Sequence, residues 1–204
     1  MRIAVFGGSR GVGKQVLPQA VDREWGVKVL ARQATTIPEI PGVQVEEGNV
    51  LDPGAVFRTL NGCDAAIIAL GKTKGNPDDV CSEGTRIILE VMKKFSIMRV
   101  VAVTAMGLGD TAEQVPFIFK LAMKTVLKKQ MADKARQEQL LFESDREWVI
   151  VRPSGLTDGD ATGNYRAGTE SETVASRVSR ADVASFVLDQ VQDNTWLRQA
   201  PWIT

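Results

Sequence analysis

A glycine-rich turn near the start of the chain, Gly7–Gly13 with the sequence GGSRGVG, most constrains the possible fold. It follows the apolar run Ile3–Phe6 and precedes apolar residues at helical spacing, so the pattern predicts a buried strand, a tight turn and a helix N-terminus. Such a turn binds a dinucleotide pyrophosphate, because free backbone N–H groups and the positive end of the helix dipole face the anion. The sequence therefore predicts a dinucleotide site here.

The three glycines at spaced positions of this turn have separate predicted roles. Gly7 allows the tight turn, Gly11 lets the backbone approach the phosphates, and Gly13 lets the helix pack closely on the strand. The intervening residues are expected to line the same site; they are Ser9, Arg10 and Val12.

Apolar runs alternate with helical segments along the rest of the chain, which is typical of a parallel sheet with helices on both faces. The predicted strands are 3–6, 27–32, 43–46, 65–70, 100–104 and 148–151, and the predicted helices are 12–22, 53–60, 79–95, 117–143 (long or broken) and 180–190. We therefore expect an α/β fold, a Rossmann-type doubly wound parallel sheet, in a single domain over residues 1–204.

Three segments break this alternation, at 71–77, 107–116 and 155–174. Each follows the carboxyl end of a predicted strand, where open α/β sheets hold ligands. We expect a small C-terminal lobe on the substrate side of the domain, with its elements mainly in 107–116 and 155–178.

The charge balance and the cysteines narrow the function classes. Lys and Arg number 25 and Asp and Glu 25, so neither a nucleic acid nor a membrane is an expected partner. We found no apolar stretch of the roughly 20 residues that span a bilayer, and the early strand leaves no room for a signal peptide. Cys63 and Cys81 lie outside metal-ligand spacing and favour a reducing compartment. We expect a cytoplasmic monomer without a metal.

Arginines lie where the fold directs residues toward the adenosine ribose. A site for NAD usually presents an acidic residue after the second strand, whereas this chain has Arg32 there and Arg10 in the glycine turn. Guanidinium groups bind phosphate oxygens bidentately, so the pair predicts a 2′-phosphate and hence NADPH. The alternative is that both arginines are solvated surface residues.

Further cofactor contacts are predicted at the ends of the third and fourth strands. Asn49 and Val50 follow the third strand, where the adenine would lie, and Leu70, Gly71 and Lys72 follow the fourth. For Asn49 and Gly71 the alternative is a simple turn residue.

The chain contains no histidine, which removes the commonest general base. Its one tyrosine, Tyr165, has no lysine four residues on and lies beyond the sixth predicted strand. The Tyr-x-x-x-Lys pair with which short-chain dehydrogenases reduce carbonyls is therefore missing. We expect no side-chain acid, and an acceptor that takes hydride easily and is protonated by water: a flavin, a conjugated tetrapyrrole or a quinone.

Beyond the glycine turn, seven segments carry a resemblance to a known family: 29–32, 48–51, 64–71, 82–86, 100–104, 151–154 and 176–183. The chain resembles atypical short-chain dehydrogenases/reductases, most of all the biliverdin-IXβ reductase/flavin reductase family of NADPH enzymes, within the NmrA-like NAD(P)-binding group. The resemblance runs nearly end to end and implies a Rossmann fold.

The resemblance also implies roles for individual residues. Arg32 matches the phosphate-binding arginine, and the loop residues Lys72, Thr73 and Lys74 lie beside the cofactor. The nicotinamide and acceptor environment would comprise Thr104, Ala105 and Met106, with Pro153 and Ser154 closing the same side. Arg177 would meet an anionic group of the substrate, or else form a structural ion pair.

The chain departs from the family in three respects: Ala105 replaces a serine beside the nicotinamide, Gly155 replaces a frequent histidine, and the glycine turn resembles the GxxxGxG of the tyrosine-containing branch and not the usual GATGxxG. Phe117 is a candidate for stacking on a flat acceptor. The lysines at 120, 124, 128 and 129 form either a solvated helix face or an attractive surface for an anionic acceptor.

Together these features predict an NADPH-dependent reductase of flavins (FMN or FAD), with biliverdin-type linear tetrapyrroles as a second acceptor class. One alternative is an NmrA-like redox sensor that holds NADP(H) without turnover. A sugar-nucleotide epimerase-like enzyme is the other, and the missing Tyr-x-x-x-Lys pair argues against it.

Overall fold

The computed structural model describes residues 1–73, 75–116, 121–122, 125–170 and 175–204. The strands are β1 (Arg2–Phe6), β2 (Gly26–Ala31), β3 (Val43–Glu47), β4 (Ala65–Ile68), β5 (Arg99–Val103), β6 (Glu147–Pro153), β7 (Gly155–Thr157), β8 (Ala167–Gly168), β9 (Arg177–Ser179) and β10 (Trp202–Ile203). The α-helices with described bounds are α1 (Gly11–Asp22), α2 (Pro53–Leu60), α3 (Val80–Lys94), α4 (Lys128–Phe142) and α5 (Arg180–Asp189).

The main sheet has the strand order β3-β2-β1-β4-β5-β6-β10-β8. Each pair of adjacent strands from β3 to β10 in this order is parallel, and β8 is antiparallel to β10. The chain therefore winds outward from β1 in both directions, which confirms the predicted Rossmann-type doubly wound fold. A separate parallel pair joins β7 to β9.

Alternate residues of each central strand belong to two different cores. In β1, Ile3 and Val5 join the core that α1 and α5 cover, whereas Ala4 and Phe6 join the core that α2, α3 and α4 cover. Strand side chains alternate between faces, and here helices cover both, so the central strands are continuous apolar runs.

Two regions refine the sequence predictions. The long or broken helix predicted over 117–143 is broken: residues 121–122 are helical, residues 125–127 form a turn in which the Leu127 N–H bonds to the Ala122 carbonyl at 2.9 Å, and α4 begins at Lys128. Of this segment, 117–120 and 123–124 lie outside the described residues. The sheet also extends beyond the sixth predicted strand through β10 and β8, each only two residues long and thus too short for a periodicity signal.

Helix α4 is anchored to the start of α3 by a buried carboxylate. Asp133 accepts from the backbone N–H groups of Cys81 at 2.9 Å and Ser82 at 3.0 Å, and from the Ser82 hydroxyl at 2.6 Å. Burial acts to raise the pKa of Asp133, but these hydrogen bonds hold it below its ordinary value. This cap from a distant segment sets the position of α4 beside the carboxyl ends of β4 and β5. No helix within the described ranges is long and apolar enough to cross a membrane.

Candidate functional site

A cleft of about 890 Å³ opens at the carboxyl ends of the central strands. Most of the predicted cofactor residues line it, namely Gly7, Ser9, Arg10, Gly11, Val12, Arg32, Asn49, Val50, Leu70, Gly71, Lys72 and Thr104. Leu156 of β7 and Lys134 of α4 line it as well. The residues that come together here are far apart in sequence, Gly7 and Leu156 by 149 positions, because parallel strands end at one edge of the sheet.

The glycine turn brings the backbone of β1 and the start of α1 into contact. Gly7 has a φ of +98°, and a Cβ added at Gly13 would lie only 2.3 Å from the Gly7 carbonyl oxygen. Gly13 does not line the cleft, so its place in the structure matches helix–strand packing. Gly11, with a φ of +57°, is the first residue of α1 and faces open space apart from one arginine.

The N-terminus of α1 fits a dinucleotide diphosphate. Arg10 is the N-cap residue and makes no side-chain cap hydrogen bond, and the first turn contains no acidic side chain. The first backbone N–H groups of a helix have no intrahelical partner, so those of α1 are available to an anion at this end of the cleft.

Arg32 at the end of β2 holds the loop that follows β4. Its guanidinium donates to the Asn76 side-chain oxygen at 2.7 Å and to the Thr73 hydroxyl at 3.0 Å. Lys72 pairs with Asp78, which Lys129 also contacts. The rim beside Arg32 therefore carries cationic side chains and is tied by hydrogen bonds to Thr73 and Asn76; Lys74 lies outside the described residues.

Lys134 is a cleft residue that the sequence analysis missed. Its ammonium donates to the carbonyl oxygens of Leu70 at 2.7 Å and Val103 at 2.8 Å, and to the Gln137 side-chain oxygen at 3.0 Å. These bonds use all three of its N–H donors, although burial lowers the pKa of Lys134. The sequence offered no clear signal for this role, because Lys134 shares its helix face with Gln137 and Glu138, polar residues whose burial appears only in the fold.

A buried hydrogen-bond chain runs from Thr104 away from the cleft. The Thr104 hydroxyl donates to Glu138 Oε1 at 2.7 Å, and Arg152 donates to both oxygens of Glu138 at 3.0 and 2.8 Å. Arg152 also pairs with Asp110; burial acts to lower the pKa of Arg152, but these two carboxylates raise it. Because the Thr104 proton faces Glu138, the Thr104 oxygen can only accept a hydrogen bond from the cleft.

Four residues predicted beside the nicotinamide lie outside the cleft lining: Ala105, Met106, Pro153 and Ser154. The Met106 side chain is only 1% exposed and packs with Val115 and Trp202. The backbone explains this displacement, since Met106 N–H bonds to the Pro153 carbonyl and Ser154 N–H bonds to that of Ile203. These bonds turn the chain toward β10, so that Thr104 alone of this group faces the cleft.

Of the two predicted substrate residues, one lies near the mouth of the cleft and the other lies outside the described residues. Arg177 is exposed on β9, and its stem passes Gly155, where a Cβ would lie 3.6 Å from Arg177 Cγ. The nearest atom to such a Cβ is the Ser176 carbonyl oxygen at 3.1 Å, so the residue at 155 is constrained by the backbone of this segment more than by Arg177. Phe117 lies outside the described residues. Tyr165 packs edge-on against Phe186 at 5.9 Å and does not line the cleft.

The chemistry available in the cleft follows from these contacts. Cationic side chains and helix N–H groups surround its outer parts, which suits an anionic dinucleotide. At the inner end, the protons of Thr104 and Lys134 are already donated to protein oxygens. Within the described ranges, no group of three or more His, Cys, Asp or Glu residues could hold a metal ion.

Proteins of known sequence or structure resemble this chain over nearly its whole length. YwnB of Bacillus subtilis strain 168 is 23% identical over 201 residues, covering 94% of this chain and 92% of its own length. The solved structure of ChuY, an anaerobilin reductase from Escherichia coli O157:H7, is 25% identical, covers 100% of this chain and 96% of its own, and superposes with a TM-score of 0.84.

A short-chain dehydrogenase/reductase from Veillonella parvula, solved in complex with NADP, is 17% identical with a TM-score of 0.82, covering 99% of this chain and 93% of its own. At this identity the likeness shows the fold alone. The model of the NAD(P)H-binding family matches residues 7–194. The chain therefore belongs to the NAD(P)H-binding family, which agrees with its resemblance to NAD(P)-binding short-chain dehydrogenases/reductases.

Proposed function

We propose that this protein is an NADPH-dependent reductase of flat conjugated acceptors, flavins first and linear tetrapyrroles second. One observation carries the proposal: the described side chains at the inner end of the cleft have no proton left to donate to a substrate. Thr104 donates its proton to Glu138, and Lys134 donates all three of its protons to protein oxygens. A bound NADPH supplies hydride. A simple ketone would then need a positioned proton donor for its developing alkoxide, whereas a conjugated ring system spreads the incoming charge. The anaerobilin reductase relationship supports a bilin-type acceptor.

An acceptor panel tests this proposal. We expect NADPH oxidation with FMN, FAD, biliverdin or a quinone, and rates lower by roughly 10²–10⁴-fold with an aliphatic ketone or a sugar nucleotide, because general-acid catalysis is worth about that factor. Tyr165→Phe, which alters a side chain outside the cleft, serves as the control and should retain most of the FMN activity. Faster turnover of the ketone than of FMN, or a hundredfold loss in Tyr165→Phe, would contradict the mechanism.

A site in which Thr104 and Lys134 already donate their protons to protein oxygens also suits a protein that binds NADP(H) without turnover. The redox sensor is therefore the second candidate. The absorbance of NADPH discriminates between the two. If the protein is a reductase, the NADPH absorbance falls when an acceptor is added. If the protein binds NADPH tightly but the absorbance stays constant with every acceptor of the panel, the sensor is favoured.

The preference for NADPH over NADH rests on Arg10 and Arg32 at the cleft rim. Charge-assisted hydrogen bonds are worth about 1.5–3 kcal/mol each, so replacing both arginines by alanine should weaken NADPH binding at least roughly tenfold and leave NADH nearly unchanged. Dissociation constants for NADPH and NADH, measured by fluorescence titration, show whether the double variant weakens the binding of only one of them. Lys14→Ala removes an exposed cation of α1 that does not line the cleft, and should change neither constant. Equal losses for both dinucleotides in the double variant would refute the assignment.

A further inference from the structure

Arg180, the first residue of α5, lies against the glycine turn although it is more than 160 residues away in the chain. A Cβ added at Gly11 would be 4.0 Å from Arg180 Nε, which places the guanidinium on the open side of the first residue of α1. Helices α1 and α5 pack together, and the Gln19 side chain bonds to the Ala181 carbonyl at 3.0 Å. Arg180 does not itself line the cleft, but Gly11 does, and the packing of α1 against α5 holds the Arg180 guanidinium beside that glycine.

The present partner of Arg180 is a weak competitor. One guanidinium nitrogen bonds to Asp158 Oδ1 at 2.7 Å, but the Asp158 side chain is 93% exposed. Ion pairs with a solvated partner contribute little, because water screens the charges and both side chains lose freedom. Arginine has five N–H donors, and the other donors of Arg180 have no protein partner within the described ranges.

We propose that Arg180 binds the diphosphate of the nicotinamide dinucleotide, exchanging Asp158 for phosphate oxygens when the cofactor enters. A diphosphate at the start of α1 carries two negative charges and faces helix N–H groups, so it outcompetes one exposed carboxylate. This inference rests on the proposed function only in that a nicotinamide dinucleotide binds in the cleft, and it does not depend on which acceptor is reduced.

The exchange needs only a local movement. Asp158 follows β7, and the next part of this segment is anchored separately: Asp182 accepts from the backbone N–H groups of Thr162 at 2.7 Å and Gly163 at 2.8 Å. Asp158 can therefore release Arg180 while Asp182 keeps the segment in place.

Binding of both dinucleotides separates this role from that of Arg32. The diphosphate is common to NADPH and NADH, so Arg180→Met should weaken both by the same factor, roughly tenfold for a lost charge-assisted contact. Arg180→Lys should recover part of the loss. Dissociation constants from isothermal titration calorimetry, without any acceptor, give the result whether or not the protein reduces flavins.

Two further variants keep the test decisive. Asp158→Asn frees Arg180 and should tighten both dinucleotides about two- to threefold, as expected for removal of a weak exposed pair, and this gain should vanish in the Arg180→Met background. Arg23→Met is the matched control, because Arg23 also bridges α1 and α5, through Asp189 at 2.7 Å, yet follows the C-terminal end of α1, opposite to Gly11. A loss confined to NADPH, unchanged constants for both dinucleotides, or an equal loss in Arg23→Met would overturn the proposal.

Discussion

Replacing Gly13 by alanine is expected to abolish measurable dinucleotide binding and to destabilise the fold. The new Cβ would lie 2.3 Å from the Gly7 carbonyl oxygen, 2.9 Å from the Gly7 carbonyl carbon and 3.1 Å from the Ala69 Cβ. None of these atoms can rotate away, so α1 must shift from the turn whose N–H groups face the cleft. Overpacking of this kind costs about 1–3 kcal/mol or more, and we expect the loss to exceed the helix propensity that alanine gains.

Gly71→Ala is the matched control for this variant. Gly71 lines the same cleft, but a Cβ there meets no atom within 4 Å. Urea denaturation should show a lower free energy of unfolding for Gly13→Ala and a nearly unchanged one for Gly71→Ala. Equal stability and equal NADPH affinity in the two variants would show that the contact between α1 and the turn has been misread.

Replacing Glu138 by leucine is expected to cost about 3–5 kcal/mol of stability, as for other buried ion pairs that lose one partner. Glu138 and Arg152 have side-chain exposures of only 4% and 3%, so the variant leaves a guanidinium buried without its bidentate carboxylate. The Thr104 hydroxyl loses its acceptor at the same time, and its orientation toward the cleft is no longer determined. We therefore also expect lower NADPH affinity in any variant that stays folded.

Two comparisons isolate the buried pair. The double variant Glu138→Leu/Arg152→Met removes both charges and should recover most of the stability, because an apolar pair of similar volume avoids burying a guanidinium whose remaining partner is the exposed Asp110. Glu83→Ala breaks a glutamate–arginine pair on α3 whose side chains are 40% and 43% exposed, and should cost no more than about 1 kcal/mol. Additive losses in the double variant, or a loss for Glu83→Ala as large as for Glu138→Leu, would contradict this account.

The sequence determined the features that depend on neighbours along the chain. Strand alternation with helices follows from apolar runs and helical periodicity, and the turn Gly7–Gly13 is defined by glycines whose freedom of conformation is local. Parallel strands end at a common edge, so the glycine turn and Arg32 could be assigned to one site from the sequence, and the family resemblance added Thr104; all three line one cleft.

The tertiary structure decided what depends on contacts between distant segments. The pairing of β10 with β6 involves only two residues, which carry no periodic pattern, and it turns Met106 and Ser154 away from the cleft. Lys134 resembles any other lysine of a polar helix until α4 is docked by Asp133 against α3. Hydrogen bonds and buried charges depend on distances of a few ångströms between segments, and a linear sequence does not contain those distances until the chain has folded.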